Sequence, residues 1–240
     1  MLALTTVSAS AVSKFDRGLS INNDAVFMPK GALFFGAQFA YHNFDLSNYQ
    51  ILVANDLKLN AYTLKATPYL FFSVANNQAV GVKFSYKRNM VDFGNVNLEL
   101  TEDMSFGLSN VFAIQHTYDF AVAYRYYIPF KGSKLFAIFA DMELEGGIGQ
   151  GKNYSGTENS ASGAYTTSWN AGVDVAPGVS LFLTNCTAIE VSVGLLGVNY
   201  SSRSQIQNQV EKGSWTSLGG HLSIDFLSVK LGITIALPTK

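Results

Sequence analysis

The sequence predicts an all-β chain closed into a barrel of eight antiparallel, up-and-down strands, and three observations carry that prediction. Apolar and polar residues alternate with a period of two in eight separate segments, the pattern of strands whose faces meet different surroundings. The connections between those segments are alternately short and long. Charged residues make up 14% of the chain, against about 25% in ordinary soluble domains, while aromatic residues reach 13%, with 18 Phe and 12 Tyr. Such a chain has little surface suited to water.

The elements follow in chain order. Met1 to Ala11 (MLALTTVSASA) reads as a signal-peptide remnant, a short apolar stretch ending in the small-residue cleavage motif Ala9-Ser10-Ala11. The missing basic start places the true beginning upstream of Met1 or follows from trimming; an unstructured tail is the alternative. Val12 to Lys30 is an N-terminal segment, and Gly31 to Pro238 is the barrel domain. No Pro-rich, Ser-rich or charged linker divides the chain. Strands are predicted at Gly31 to Asn43, Ala61 to Val74, Ala79 to Phe93, Phe112 to Phe130, Leu135 to Gly149, Tyr165 to Leu183, Ala188 to Ser201 and Thr216 to Leu237. Ala75 to Gln78, Lys131 to Lys134 and Thr184 to Thr187 are tight turns, the last holding the single cysteine, Cys186. Phe44 to Asn60, Gly94 to Val111, Gln150 to Ala164 and Ser202 to Trp215 are long loops.

Two hairpins share one design: Thr67-Pro68 and Ala176-Pro177 each precede, at equal spacing, the turn asparagines Asn76 and Asn185. Proline deletes a ladder hydrogen bond, so a bulge is expected at each. The last segment changes phase between Phe226 and Leu227, which predicts a bulge at Phe226 to Ser228 or an additional turn there.

Alternation alone leaves open whether the apolar face points inward, as in a soluble ligand-binding barrel, or outward. Leu33, Phe35, Phe39, Leu64, Leu70, Phe72, Val80, Phe84, Phe120, Val122, Ile138 and Met142 belong to a face that would overfill an eight-stranded interior, and it is read as free of formal charge through the first seven strands. Gly36, Ala40, Gly81, Ser85, Ala121, Ala123, Gly172 and Gly178 on the opposite face suit a narrow lumen. A charge at mid-membrane costs ~2 to 4 kcal/mol, which accounts for the segregation. The apolar face therefore meets lipid, the protein is an integral outer-membrane barrel, and short turns with both termini lie on the periplasmic side. No run of 18 apolar residues exists to form a transmembrane helix.

Charges of both signs face the lumen: Lys65, Lys83, Lys87, Arg125 and Lys230 against Asp119, Asp141, Glu143, Glu145, Asp174, Glu190 and Asp225. In so confined a space they must pair, which predicts a salt-bridge network plugging the barrel, helped by Phe71, Tyr127, Phe139 and Phe182; a path for ions is the alternative. Tyr41, Tyr86, Tyr124, Tyr126, Tyr127, Phe130, Phe136 and Trp169 are predicted interfacial aromatics.

The phrases Ala66-Thr67-Pro68-Tyr69-Leu70-Phe71-Phe72, Asn76-Asn77-Gln78-Ala79-Val80-Gly81, Tyr124-Arg125-Tyr126-Tyr127-Ile128-Pro129, and Ala176-Pro177-Gly178 with Leu181-Phe182-Leu183-Thr184-Asn185 resemble the outer-membrane β-barrel domain family of Bacteroidetes-type bacteria over roughly Lys30 to Leu237. The resemblance implies an eight-stranded barrel of the OmpA/OmpX kind, and it is silent about activity. The ending Leu237-Pro238-Thr239-Lys240 departs from the usual terminal aromatic.

Chemistry is sparse. Gly146-Gly147-Ile148-Gly149-Gln150-Gly151-Lys152 superficially matches a phosphate-binding loop, but Asn153 replaces the magnesium-binding hydroxyl and no helix follows. His221, Ser223 and Asp225 share a face, yet neighbours two apart on a strand lie ~6.5 to 7 Å from each other, too far for a triad. His42 is expected to face the last strand, where it and His221 form a candidate metal or acid-base pair. His116 falls on the lipid face near the outer rim. The expectation is a non-enzymatic protein without cofactor or metal, whose partners are outer-membrane lipid and an unidentified loop ligand. A net charge of −1 without a Lys/Arg cluster speaks against nucleic acid. A narrow channel, a lipid-modifying enzyme and a soluble ligand-binding barrel are the alternatives.

Overall fold

The computed structural model describes residues 26–51, 54–93, 96–101, 104–108, 111–157, 160–207, 211–222 and 229–237. Twelve strands are described: β1 (Leu33–Ile51), β2 (Ala54–Ala75), β3 (Gln78–Phe93), β4 (Val96–Thr101), β5 (Met104–Leu108), β6 (Val111–Pro129), β7 (Phe136–Thr157), β8 (Ser160–Phe182), β9 (Thr187–Ser192), β10 (Leu196–Gln207), β11 (Glu211–Leu222) and β12 (Lys230–Leu237). Eight of them close a ring in the order β1-β12-β9-β8-β7-β6-β3-β2, and β2 returns to β1. Every pairing is antiparallel. No described helix is long and apolar enough to cross a membrane.

Alternation sets the two sides of the wall as the sequence predicts. On β6, Ala121, Ala123, Arg125 and Tyr127 are buried, while Phe120, Val122, Tyr126 and Ile128 are exposed. On β2, Tyr69, Phe71 and Ser73 are buried and Leu70, Phe72 and Val74 exposed. The core therefore fills the ring, and the large apolar side chains cover its outside. One part of the outward reading is corrected: Arg88 shares the outward phase of Val82 and Phe84 on β3, so that face does carry charge.

The bulge expected at Pro177 is present on the neighbouring strand. Ser192 pairs with Gly178 and Leu196 with Val175, so β9–β10 spends one extra residue there. Val193 N–H donates to the Pro177 carbonyl at 3.0 Å and Leu195 N–H to the Val175 carbonyl at 3.1 Å. The extra residue moves the inward phase from even positions (Glu190, Ser192) to odd ones (Gly197). At Pro68 no bulge forms, because Ala66–Tyr86 and Tyr69–Lys83 keep one register. The irregularity expected at Phe226 to Ser228 lies outside the described residues, although Leu218 outward and Thr234 inward put a phase change between β11 and β12.

The four long loops are corrected. β1 and β2 stay paired to Ile51–Ala54, β7 and β8 to Thr157–Ser160, and β10 and β11 to Gln207–Glu211, while β4 and β5 form a small hairpin within Gly94 to Val111. In these extensions Gly, Ser and Asn interrupt the apolar alternation, so no sequence period marks the strands. β1 pairs β12 only from Leu33–Leu237 to Phe39–Leu231; farther out, among the described residues, β1 pairs β2 alone and β11 pairs β10 alone.

Candidate functional site

The wall places its most enclosed polar groups in the lumen, toward the end with short turns. Arg125 on β6 is fully buried. Its Nε donates to Asp141 Oδ1 at 2.5 Å and its Nη2 to Asp141 Oδ2 at 2.8 Å, a forked pair with the adjacent β7. Its Nη1 reaches both oxygens of Glu190 on β9 at 3.0 Å and the Tyr127 hydroxyl at 3.2 Å. Lys83 on β3 donates to Asp141 and to Glu143, each at 2.6 Å. The Tyr69 hydroxyl donates to Glu190 at 3.1 Å and shares a 2.6 Å hydrogen bond with Thr234, while Ser180 Oγ donates to Glu190 at 3.4 Å. Seven of the eight ring strands thus contribute to one connected cluster, β1 being the exception.

Desolvating a lone ion costs several kcal/mol, so such a cluster persists only when its charges nearly cancel. Lys83 and Arg125 face three carboxylates, and Lys230 on β12, within electrostatic reach of Glu143, supplies the third cation. The rings of Phe139, Phe71, Tyr69, Tyr127 and Phe34 stand 4.2, 4.8, 5.3, 5.7 and 6.0 Å from the guanidinium carbon. Cation and rings pack against one another inside the ring.

Below this cluster the sequence reading missed a floor. Phe27 and Met28, in the segment read as merely preceding the barrel, are buried beneath it; Phe27 contacts the rings of Tyr127 and Phe182 at 5.0 and 4.9 Å. Asn77 Oδ1 accepts from the Phe27 and Met28 backbone N–H at 2.8 and 3.0 Å, and Asn77 N–H returns a bond to the Met28 carbonyl at 2.7 Å. Asn76 Oδ1 accepts from Lys30 N–H at 3.0 Å. A non-periodic run such as Val26 to Pro29 gives no burial signal of its own.

The remaining predicted lumenal charges form a looser tier toward the open end. Lys87 lies within electrostatic reach of Lys65, Asp119, Glu145 and Arg203, and Glu145 within reach of Lys65, Asp174 and Asp119. Asn170 Nδ2 donates to Asp119 at 3.0 Å. Arg203 was missed because it stands in a segment read as loop. Above this tier Asn89, Gln115, Asn153, Thr166 and Arg203 line a cavity of about 190 Å³. Asp225 lies outside the described residues.

Of the predicted interfacial aromatics, Tyr41 and Trp169 are exposed on the outer wall and touch Tyr62 and Tyr200, while Tyr86 contacts Tyr118. Tyr126, Phe130 and Phe136 face outward near the short turns, and Tyr124 donates its hydroxyl to Gln78. Tyr127 is a correction: it shares the inward phase of Arg125 and belongs to the lumen.

Of the candidate catalytic residues, Ser223 and Asp225 lie outside the described residues. His42 stands opposite Thr63 on β2, and His221 opposite Gly197 on β10, so strand pairing does not bring the two together. His116 lies on the outer wall, its Nδ1 2.8 Å from the Tyr86 hydroxyl. Gly146 to Lys152 is continuous strand paired on both sides, which removes the phosphate-loop reading. Among the described residues no group of three or more His, Cys, Asp or Glu is placed to hold a metal.

No family model matches the chain, and no curated protein matches it. Among solved structures, the outer membrane protein OprG from Pseudomonas aeruginosa is similar over 90% of this chain and 100% of its own, with 12% identity and a TM-score of 0.46. A major outer membrane protein from Thermus thermophilus is similar over 86% of this chain and 99% of its own, with 11% identity and a TM-score of 0.44.

Proposed function

We propose that this protein is an integral outer-membrane β-barrel with a plugged lumen, a non-enzymatic element of the envelope that displays long hairpins at the cell surface. The observation that carries the reading is the division of the wall: between the two aromatic edges the outward side chains are apolar, while the inward charges cancel one another. From Ile128 to Tyr118, ten residues along β6, a rise of ~3.4 Å per residue at a tilt of roughly 40° spans ~26 Å, close to the ~25 Å apolar band of such barrels. Phe130 and Phe136 mark its lower edge, and Tyr86, Tyr118 and Trp169 its upper one. Both termini then lie with the short turns on the periplasmic side, and recognition falls to the outer hairpins.

The test is planar-bilayer conductance of protein refolded in detergent, with folding shown independently by a gel mobility that shifts on boiling. Folded protein without a conductance step is the expected result. A reproducible small conductance that changes in Glu143→Ala would replace the plug with an ion path.

A further inference from the structure

We infer that the outer wall carries a site for a phosphorylated glycolipid of the outer leaflet, centred on Arg88 and Lys152. The inference rests on the proposed membrane placement. Arg88 projects outward from β3 in register with His116, two residues beyond the Tyr86–Tyr118 ring contact that marks the upper edge of the apolar band. Its guanidinium carbon lies 5.7 Å from the Tyr62 ring, and its buried Nε has no hydrogen-bond partner. A guanidinium at headgroup depth, with its stem along an apolar wall and a donor unused, suits a phosphate, which it binds through two parallel bonds.

Lys152 extends the site. It is outward on β7, opposite Ile114, which stands two residues beyond His116. Strand spacings of ~4.8 Å and ~3.4 Å per residue put the Arg88 and Lys152 backbones ~12 Å apart, within the joint reach of two long side chains. Asp92, also outward, lies ~13 Å farther along β3 from Arg88, too far to neutralise its guanidinium. Lys152 also borders an outward groove of about 670 Å³, lined with Ile114, Tyr154, Tyr165 and Ile206. This groove sits above the lipid band, where an exposed apolar hollow would otherwise meet water. Tyrosine faces accept the C–H faces of sugar rings while their hydroxyls bond sugar hydroxyls. Acyl chains on the apolar wall, phosphate on the cations and sugar in the groove are three parts of one molecule.

The test refolds the protein into phosphatidylcholine vesicles containing a minor fraction of a bis-phosphorylated lipid A-type glycolipid, its dephosphorylated form, or phosphatidylglycerol. Native mass spectrometry after release in mild detergent counts the lipid retained. The boiling-dependent mobility shift is scored first, so that a failure of membrane folding is distinguishable from a failure of this site. Expected is retention of the phosphorylated glycolipid, reduced about tenfold or more in R88Q/K152Q by the loss of charge-assisted bonds and unchanged in Lys134→Gln at the opposite end. The dephosphorylated form and phosphatidylglycerol should each be held more weakly. Folded wild-type protein that retains no glycolipid, equal retention by R88Q/K152Q, or equal retention of either comparison lipid would overturn the site.

Discussion

Arg125 holds Asp141 and Glu190 apart as well as together, since those carboxylates come from different strands and meet through its guanidinium. Arg125→Ala would leave uncompensated charge in the lumen and is expected to cost ~3 to 5 kcal/mol, measured as a lower urea midpoint in phospholipid vesicles. Replacing Arg125 by Met together with Glu190 by Gln should recover part of that loss. Glycine positions give a sharper local contrast. A Cβ at Gly178 would run into Phe139 Cζ and lie 2.6 Å from the Val191 carbonyl oxygen, whereas at Gly219 nothing lies within 4 Å. Gly178→Ala is expected to destabilise by ~1 to 3 kcal/mol and Gly219→Ala to stay within about 0.5 kcal/mol in the same assay. The inward face of Lys83, Arg125, Asp141, Glu143 and Glu190 was legible in the sequence, because period two assigns a face outright. Which acid meets which base was not, since Arg125 and Glu190 meet across the lumen, and that depends on strand tilt and ring closure.

The turn between β2 and β3 is small, yet it organises the end of the barrel with the short turns. Asn77 adopts φ 63°, a conformation asparagine tolerates better than most residues, and there its side chain gathers the Phe27 and Met28 amides. Asn77→Gly keeps that backbone accessible but removes the acceptor. The expected cost is ~1 to 3 kcal/mol, read as faster hydrogen exchange at Phe27 and Met28 while the β6–β7 amides keep their protection. The sequence marked Asn76-Asn77 as a turn without revealing that it binds the segment before β1, because that partner lies some fifty residues away. The outer hairpins were hidden for a different reason. Ser162 and Gly163 pair with Ser155 and Tyr154 as strand although their small and polar residue types carry no alternation of apolar and polar positions.

Across the whole molecule the barrel was legible, because an apolar outer face and a narrow lumen impose one rule on every strand of the ring. Which strand edges lie side by side was not, since closure decides that. Backbone groups of β11 and the outer part of β1 lack a second neighbouring strand among the described residues. Their amides are expected to exchange ahead of those of β6 and β7, each paired on both sides, in a hydrogen-exchange time course on the vesicle-embedded protein.

The seam between β1 and β12 also sets an order in time. Its described pairs, from Leu33–Leu237 to Phe39–Leu231, join residues far apart in sequence, so most of the barrel strands lie between the partners that must meet. Contacts so distant in sequence are costly to establish early. The seam is therefore expected to close after the rate-limiting step of folding and to part first on the way out. Ile233→Ala should then hasten unfolding while leaving the refolding rate nearly unchanged, so that the lifetime of the barrel depends on this one join.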